Sequence, residues 1–443
     1  MNHTFPSIRA ARPALLAAAL LVCSLVLPGC GKTDPPQFRI NTQGMNPDDF
    51  RVPGSESDEQ YISKKQKADS LDQISTILYA WFGTPNEPYV IPESGLDLRK
   101  IQLSAGPSGG DASGKQRGLY RQHCAHCHGI TGDGAGPTAA FLNPYPRDYR
   151  QGWFKFKSTE RSARPTTADL RRILTDGIAG TAMPSFMLLP QDEIDSLAEY
   201  VKYLSMRGQT ELLLDEMLLK NDETIDMSTP EKASALSAEL VSEYLTPVAE
   251  PWQQAESLVI NPEDPPEFKD DAEKAAFVAK GAILFQNEKV QCAKCHGPTA
   301  LGDGSEENLY DDWNKVKQFE QIAKDIAVAE KTEDATERKA ELAKLYEKLE
   351  VENRSWLLPA QLVQPRNLRL GTYRFGRRPA DLYRRIAAGI NGTPMGTMGA
   401  TADNPSGLKP EEIWQLVYYV RSLPYEKASE PAVGRGHLAG VQP

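Results

Sequence analysis

Histidine and cysteine are scarce in this chain, and so are long apolar runs and any excess of basic residues. Six of the 443 residues are histidine and six are cysteine. Only four of the cysteines lie beyond residue 30, in two close pairs. Bridging within such pairs suits a redox motif better than a structural staple. Beyond the first thirty residues no stretch approaches the ~18 apolar residues of a membrane span. Net charge is −10, with 50 Lys+Arg against 60 Asp+Glu, so nucleic acid is not an expected ligand. The acidic balance reads as a solvated surface. Hydrophobic content is 40% and mean hydropathy −0.48, the profile of a mostly soluble chain long enough for two or three compact units. Pro and Gly stand at 33 each, which suits loop-rich domains with short helices.

What is present is one short motif, twice. Cys124-Ala125-His126-Cys127-His128 and Cys292-Ala293-Lys294-Cys295-His296 both read C-x-x-C-H, the c-type haem attachment signature. The two thiols form thioethers to the haem vinyl groups. The adjacent histidine then falls under the iron as its proximal ligand. A structural zinc site built from four thiolates fits the count. Zinc, however, does not require a histidine directly after each second cysteine. The spacing and the doubling point to two covalently bound haem c groups (iron).

The motifs head two similar halves. Gly129 and Gly132-Asp133-Gly134 match Gly297 and Gly302-Asp303-Gly304. Pro146-Arg147-Asp148 matches Pro365-Arg366-Asn367, and Phe156 matches Phe375. Gly180-Thr181-Ala182-Met183 matches Gly392-Thr393-Pro394-Met395, and Tyr200-Val201 matches Tyr419-Val420. Each half reads as helical. A first helix leads into the motif. A middle helix begins near Asp169 or Asp381, with the acid as its cap. A last helix covers Gln191 to Leu204 or Pro410 to Leu423, with Pro410 at a helix start. Leu71, Ile74, Leu78, Trp81 and Phe82 recur at helical spacing, predicting a helix from Lys64 to Phe82 packed on the first domain. Only the second half carries a long insert. From Trp313 to Glu352 it is rich in Glu, Lys, Ala and Leu and reads as a solvated helical hairpin. A partner-specific arm near the second haem is the alternative.

A haem held by one histidine has an axial position left, and a methionine there raises the reduction potential. Met183 and Met395 hold the same place in the repeat, on Gly/Pro-bearing loops between two helices. Met187 is a weaker rival to Met183, and Met398 lies three residues beyond Met395. Spare histidines are nearly absent: His123 and His126 sit at the first motif, His437 in the tail, and His3 near the start.

These features resemble class I cytochrome c domains, of the kind found in the c-type subunits of cbb-type haem–copper oxidases and related dihaem carriers. The resemblance covers about 115–206 and 275–425, apart from the insert. It implies a mainly α fold of two tandem class I cytochrome c domains, the second with a long charged helical insert. It implies His128/Met183 and His296/Met395 as iron ligands, with Cys124, Cys127, Cys292 and Cys295 holding the haems. It further implies a proline carbonyl orienting each proximal histidine, with Pro137 and Pro359 as candidates. Arg147 and Arg366 are candidates for neutralising haem propionates.

Arg9 and Arg12, the apolar run from Ala14 to Leu27, and Leu27-Pro28-Gly29-Cys30 resemble a bacterial lipoprotein signal, with Cys30 as the lipidated residue. Pro28 departs from that pattern, and ordinary secretory cleavage is the alternative. Removing the two arginines of residues 1–29 takes the net charge from −10 to −12. The expected order is signal peptide 1–29, flexible tether 30–60, helix and linker 61–111, cytochrome c domain 112–208, inter-domain segment 209–271, cytochrome c domain 272–426 (insert 305–358) and flexible tail 427–443. The expected product is an exported protein, lipid-anchored on the periplasmic side of a bacterial membrane. It passes single electrons between redox partners of a respiratory chain, and is not an enzyme. Its partners are a membrane redox complex or oxidase and a soluble redox protein. A dihaem enzyme, a peroxidase or a sulfur-compound dehydrogenase, is the alternative and needs an open or displaceable sixth position at the second haem.

Overall fold

The computed structural model describes residues 36–43, 45, 58–110, 113–220, 225, 229, 237–288, 290–305, 316–401 and 404–426. The expected signal peptide, Cys30 and the tail 427–443 lie outside them. The described chain is mainly helical, and its one sheet among those residues is the two-stranded pair β1 (Gly109–Gly110) and β2 (Gln116–Arg117). Among the described residues no helix is long and apolar enough to cross a membrane.

Helix α1 (Asp58–Phe82) buries Ile74, Leu78, Trp81 and Phe82, as its periodicity predicts, and Leu71 packs at the edge of that core. After α2 (Leu98–Ser104), the motif of the first half lies on α3 (Leu119–His123) and α4 (Ala125–His128). The middle helix α5 (Thr167–Asp176) is capped by Thr166, not by the acid. Asp169 stands at the third helical position, and its carboxylate reaches back to the Thr166 backbone N–H, completing a capping box. The last helix α6 (Gln191–Asp215) runs well past Leu204, so the first part of the expected inter-domain segment is helical. Its inner face supplies Ile194, Leu197, Tyr200, Val201 and Leu204 to the core.

The polar stretch around residues 38–43 is packed, where a flexible tether is expected. Phe38 lies 6.1 Å from Tyr203 and under the Arg207 guanidinium. Asn41 donates its backbone N–H to Glu211 Oε1 at 2.6 Å, and buried Arg150 reaches both Asn41 and Gln43. These polar residues are ordered by buried charges of the first half. Composition alone does not reveal that pairing.

After α7 (Thr246–Gln253) the second half repeats the plan. It has α8 (Asp271–Gln286), the motif helix α9 (Cys292–His296), then the insert, α12 (Pro379–Ala388) and α13 (Pro410–Ser422). The insert is a helical hairpin of α10 (Val316–Ala329) and α11 (Ala335–Arg354). The chain just past the insert crosses to the first half. Gln361 accepts from Tyr145 N at 3.0 Å and donates to the Leu142 carbonyl at 2.9 Å.

Helices α8 and α13 cross closely at Gly281, where an added Cβ would overlap the Gln415 carbonyl oxygen. Gly281→Ala is expected to destabilise the second half by about 1–3 kcal/mol, the usual range for overpacking. Thermal unfolding of the holoprotein measures this, and an unchanged midpoint would contradict the crossing.

The halves meet through apolar and ionic contacts. Arg172 of α5 makes two bonds of 2.7 Å to the buried Asp381 carboxylate of α12. Its guanidinium lies 4.6 Å from the Phe375 ring centroid. Phe156 and Phe375 stack at 6.3 Å with an interplanar angle of 20°. They hold the same place in the repeat, so the contact is self-complementary, like one across a two-fold axis.

Candidate functional site

The first motif turns at Cys124, between α3 and α4, and ends where Gly129 takes a φ of 73°. This brings Cys124, Cys127 and His128 to one wall of an apolar cavity of about 1270 Å3, mouth included. Met183, Leu170, Leu174 and Val201 line it as well. His128 Nδ1 lies 3.0 Å from the Arg147 carbonyl oxygen. An N–H at Nδ1 donating to that carbonyl leaves Nε2 as the free lone pair, the usual arrangement of a metal-ligating histidine. Burial pushes the His128 pKa down to about 4, against the opposing pull of the Arg147 carbonyl, so the imidazole is neutral. Tyr149 stacks on the His128 ring at 4.7 Å and 17°. Burial also pushes the Cys124 thiol up to about 12 and Cys292 to about 11.

The Met183 loop is built from its own polar groups. Thr181 Oγ1 donates to the Ile178 carbonyl at 2.8 Å and accepts from Met183 N at 3.1 Å. Ile178 N closes the loop onto Met183 O at 3.1 Å. The second half repeats this pattern: Thr393 Oγ1 to Ile390 O at 2.8 Å, Met395 N to Thr393 Oγ1 at 3.2 Å, Ile390 N to Met395 O at 3.0 Å. Met395 thus stands where Met183 stands. Met398 stands elsewhere: its N–H donates to Ile386 O as that of Phe186 donates to Leu174 O. Met398 therefore takes Phe186's place and packs in the second core. Met187 is 68% exposed and is not part of the cavity wall.

His296 Nδ1 lies 3.1 Å from the Arg366 carbonyl oxygen, and burial lowers its pKa. The two histidines are therefore oriented alike, but not by a proline. Pro137 and Pro359 are exposed, and the accepting carbonyls belong to Arg147 and Arg366. The signal was in view as the repeated Pro-Arg pair, although a backbone acceptor leaves no mark in residue type. Tyr149 has no aromatic counterpart. Leu368 occupies its place, donating to Ala300 O as Tyr149 donates to Gly132 O.

The glycine run after each motif is offset by two residues from the sequence match. Gly134 N and Gly136 N donate to His128 O and Cys127 O, and Gly302 N and Gly304 N do the same for His296 O and Cys295 O. Gly132 is thus matched by Ala300, which holds the left-handed φ of 60° without being glycine. The shared Gly-Asp-Gly spelling conceals this.

The two cysteine pairs are not brought together. Among the described residues no group of three or more His, Cys, Asp or Glu is placed to hold a metal ion, which removes support for the zinc alternative. The donor set of the first half does fit a haem. Two thiols, a neutral imidazole with its Nε2 free and a thioether face one apolar cavity. One residue of that wall comes from the other half: Arg374.

Residues 113–201 match the family model described as Cytochrome C oxidase, cbb3-type, subunit III. The match supports a c-type cytochrome. It also supports electron transfer, and it implies covalently bound haem c in that stretch. No curated protein matches the chain. Among solved structures, a chain of the Kuenenia stuttgartiensis reducing HAO-like protein complex is similar at 21% identity. It covers 72% of this chain and 98% of its own, with a TM-score of 0.42.

Proposed function

We propose that the protein is a dihaem cytochrome c that carries single electrons. One haem is bound by Cys124, Cys127 and His128 with Met183 as the sixth ligand, and the other by Cys292, Cys295 and His296 with Met395. The observation that carries this reading is the hydrogen-bond frame common to both halves, which orients each histidine through an arginine carbonyl and presents each methionine on the same closed loop. A bound haem supplies a one-electron iron couple. The chain's own residues fix the rest. Arg147 O and Arg366 O hold the imidazoles. The apolar wall of Leu170, Leu174 and Val201 keeps water from the first site. A thioether ligand and apolar burial both favour the reduced iron and raise the potential.

The wider placement follows from the same reading. An exported chain tethered by lipid at Cys30 would work on the periplasmic side of a bacterial membrane, between a membrane redox complex or oxidase and a soluble redox protein. Stoichiometric redox titration of the purified holoprotein tests the function. Two one-electron steps per chain, with no turnover of peroxide, are the expected result. A single step, or steady consumption of peroxide, would contradict it.

A further inference from the structure

The first half reaches into the ligand loop of the second. Arg161 donates from Nη1 to the Met395 carbonyl oxygen at 2.6 Å, and from Nη2 to the Thr393 carbonyl at 3.4 Å. A Cβ at Gly389 would overlap the Gly396 carbonyl oxygen and stand 2.6 Å from the same Nη1, so the guanidinium packs directly on the loop backbone. Arg161 projects from a braced loop. Lys157 Nζ donates to the backbone oxygens of Arg161 at 3.1 Å and Ala163 at 2.7 Å. Glu160 N donates to Leu258 O at 3.0 Å, and Thr159 forms a β-bridge with Val259. The loop it grips closes on itself through Thr393 and Ile390, and Arg161 adds two donors from outside it. Gly389, Gly392 and Gly396 flank Met395, and flexible backbone loses much entropy when fixed. A charge-assisted pair of hydrogen bonds from a rigid donor opposes that loss.

We propose that Arg161 is a positioning residue for the second site. From the first half it holds the Met395 carbonyl, and through it the thioether in the form that ligation needs. The inference rests on Met395 being the sixth ligand of the second haem. It makes ligation at one site depend on the fold of the other. At the Met183 loop, Arg366 Nη2 comes within 2.7 Å of a Cβ at Gly180 but donates to Thr372 O of its own half.

The experiment uses the full-length holoprotein and imidazole, which competes with methionine for the sixth position. The readout is the weak red thioether-to-iron absorption band. In a Met183→Ala background that band reports the second site alone. There, Arg161→Ala is expected to let imidazole abolish the band at roughly tenfold lower concentration, in keeping with loss of a charged hydrogen bond. Arg161→Lys keeps one charged donor and falls between. In a Met395→Ala background the band reports the first site, and Arg161→Ala leaves its imidazole midpoint unchanged. If Met395→Ala does not remove part of the wild-type band, Met395 is not the ligand and the underlying reading fails. If it does, but neither Arg161 variant moves the second-site midpoint, the role of Arg161 is overturned. Equal weakening of both sites would make Arg161 a general structural residue and would overturn it as well.

Discussion

Replacing Cys292 and Cys295 together by serine is expected to halve the covalently bound haem and leave the first half spectrally intact. The two halves have separate cores: Phe285, Tyr373, Leu382 and Trp414 belong to the second, and Tyr120, Tyr149, Leu170 and Tyr200 to the first. The second motif contributes nothing to the first cavity's wall, where Arg374 is the second half's one residue. The converse replacement of Cys124 and Cys127 also removes half the haem, and it has a larger effect on folding. It leaves the apolar lining of the first cavity empty, with His128, Tyr149 and Leu170 stripped of their packing partner. The lining then forfeits the dispersion contacts that partner made. Haem per chain is measured by the haemochrome spectrum against protein mass. Full haem content after either replacement would contradict the attachment sites.

The second large effect is on potential. Met183→Ala is expected to lower the first haem's reduction potential by on the order of 0.1 V, a fraction of the span of about 0.8 V that axial ligands set. Met187 does not substitute, since it is 68% exposed and outside the cavity. Met395→Ala is expected to do the same at the second haem. Met398→Leu serves as the control. Met398 fills Phe186's place in the packing, so the apolar replacement leaves the potential and the band unchanged. A loss of the band with Met398→Leu, and none with Met395→Ala, would reverse the assignment.

Features written in local residue type were legible before the structure. The C-x-x-C-H runs, the paired Thr-x-Met loops, the apolar stripe of Ile74, Leu78, Trp81 and Phe82, and the charged hairpin all follow from spacing and propensity. What escaped is what depends on backbone atoms or distant partners. The carbonyls of Arg147 and Arg366 hold histidines 19 and 70 residues away, and any residue type could supply them. Thr166 caps α5 from one turn before the acid that drew attention. Ala300 adopts a glycine-like φ of 60°, so matching glycine to glycine shifted the register by two residues. Arg161 looks like a surface arginine until the second half is folded against it. The segment that follows the insert shows the same limit: Gln361 binds the rim of the first cavity, although it belongs to the second half.

The most direct test of the whole account is the optical spectrum of the oxidised holoprotein out to the near-infrared. A thioether-to-iron band of strength appropriate to two haems, with no high-spin features and no change on adding peroxide, is the predicted result. A band for one haem alone, with high-spin features that peroxide alters, would contradict the paired His/Met sites and move the second site to the enzymes.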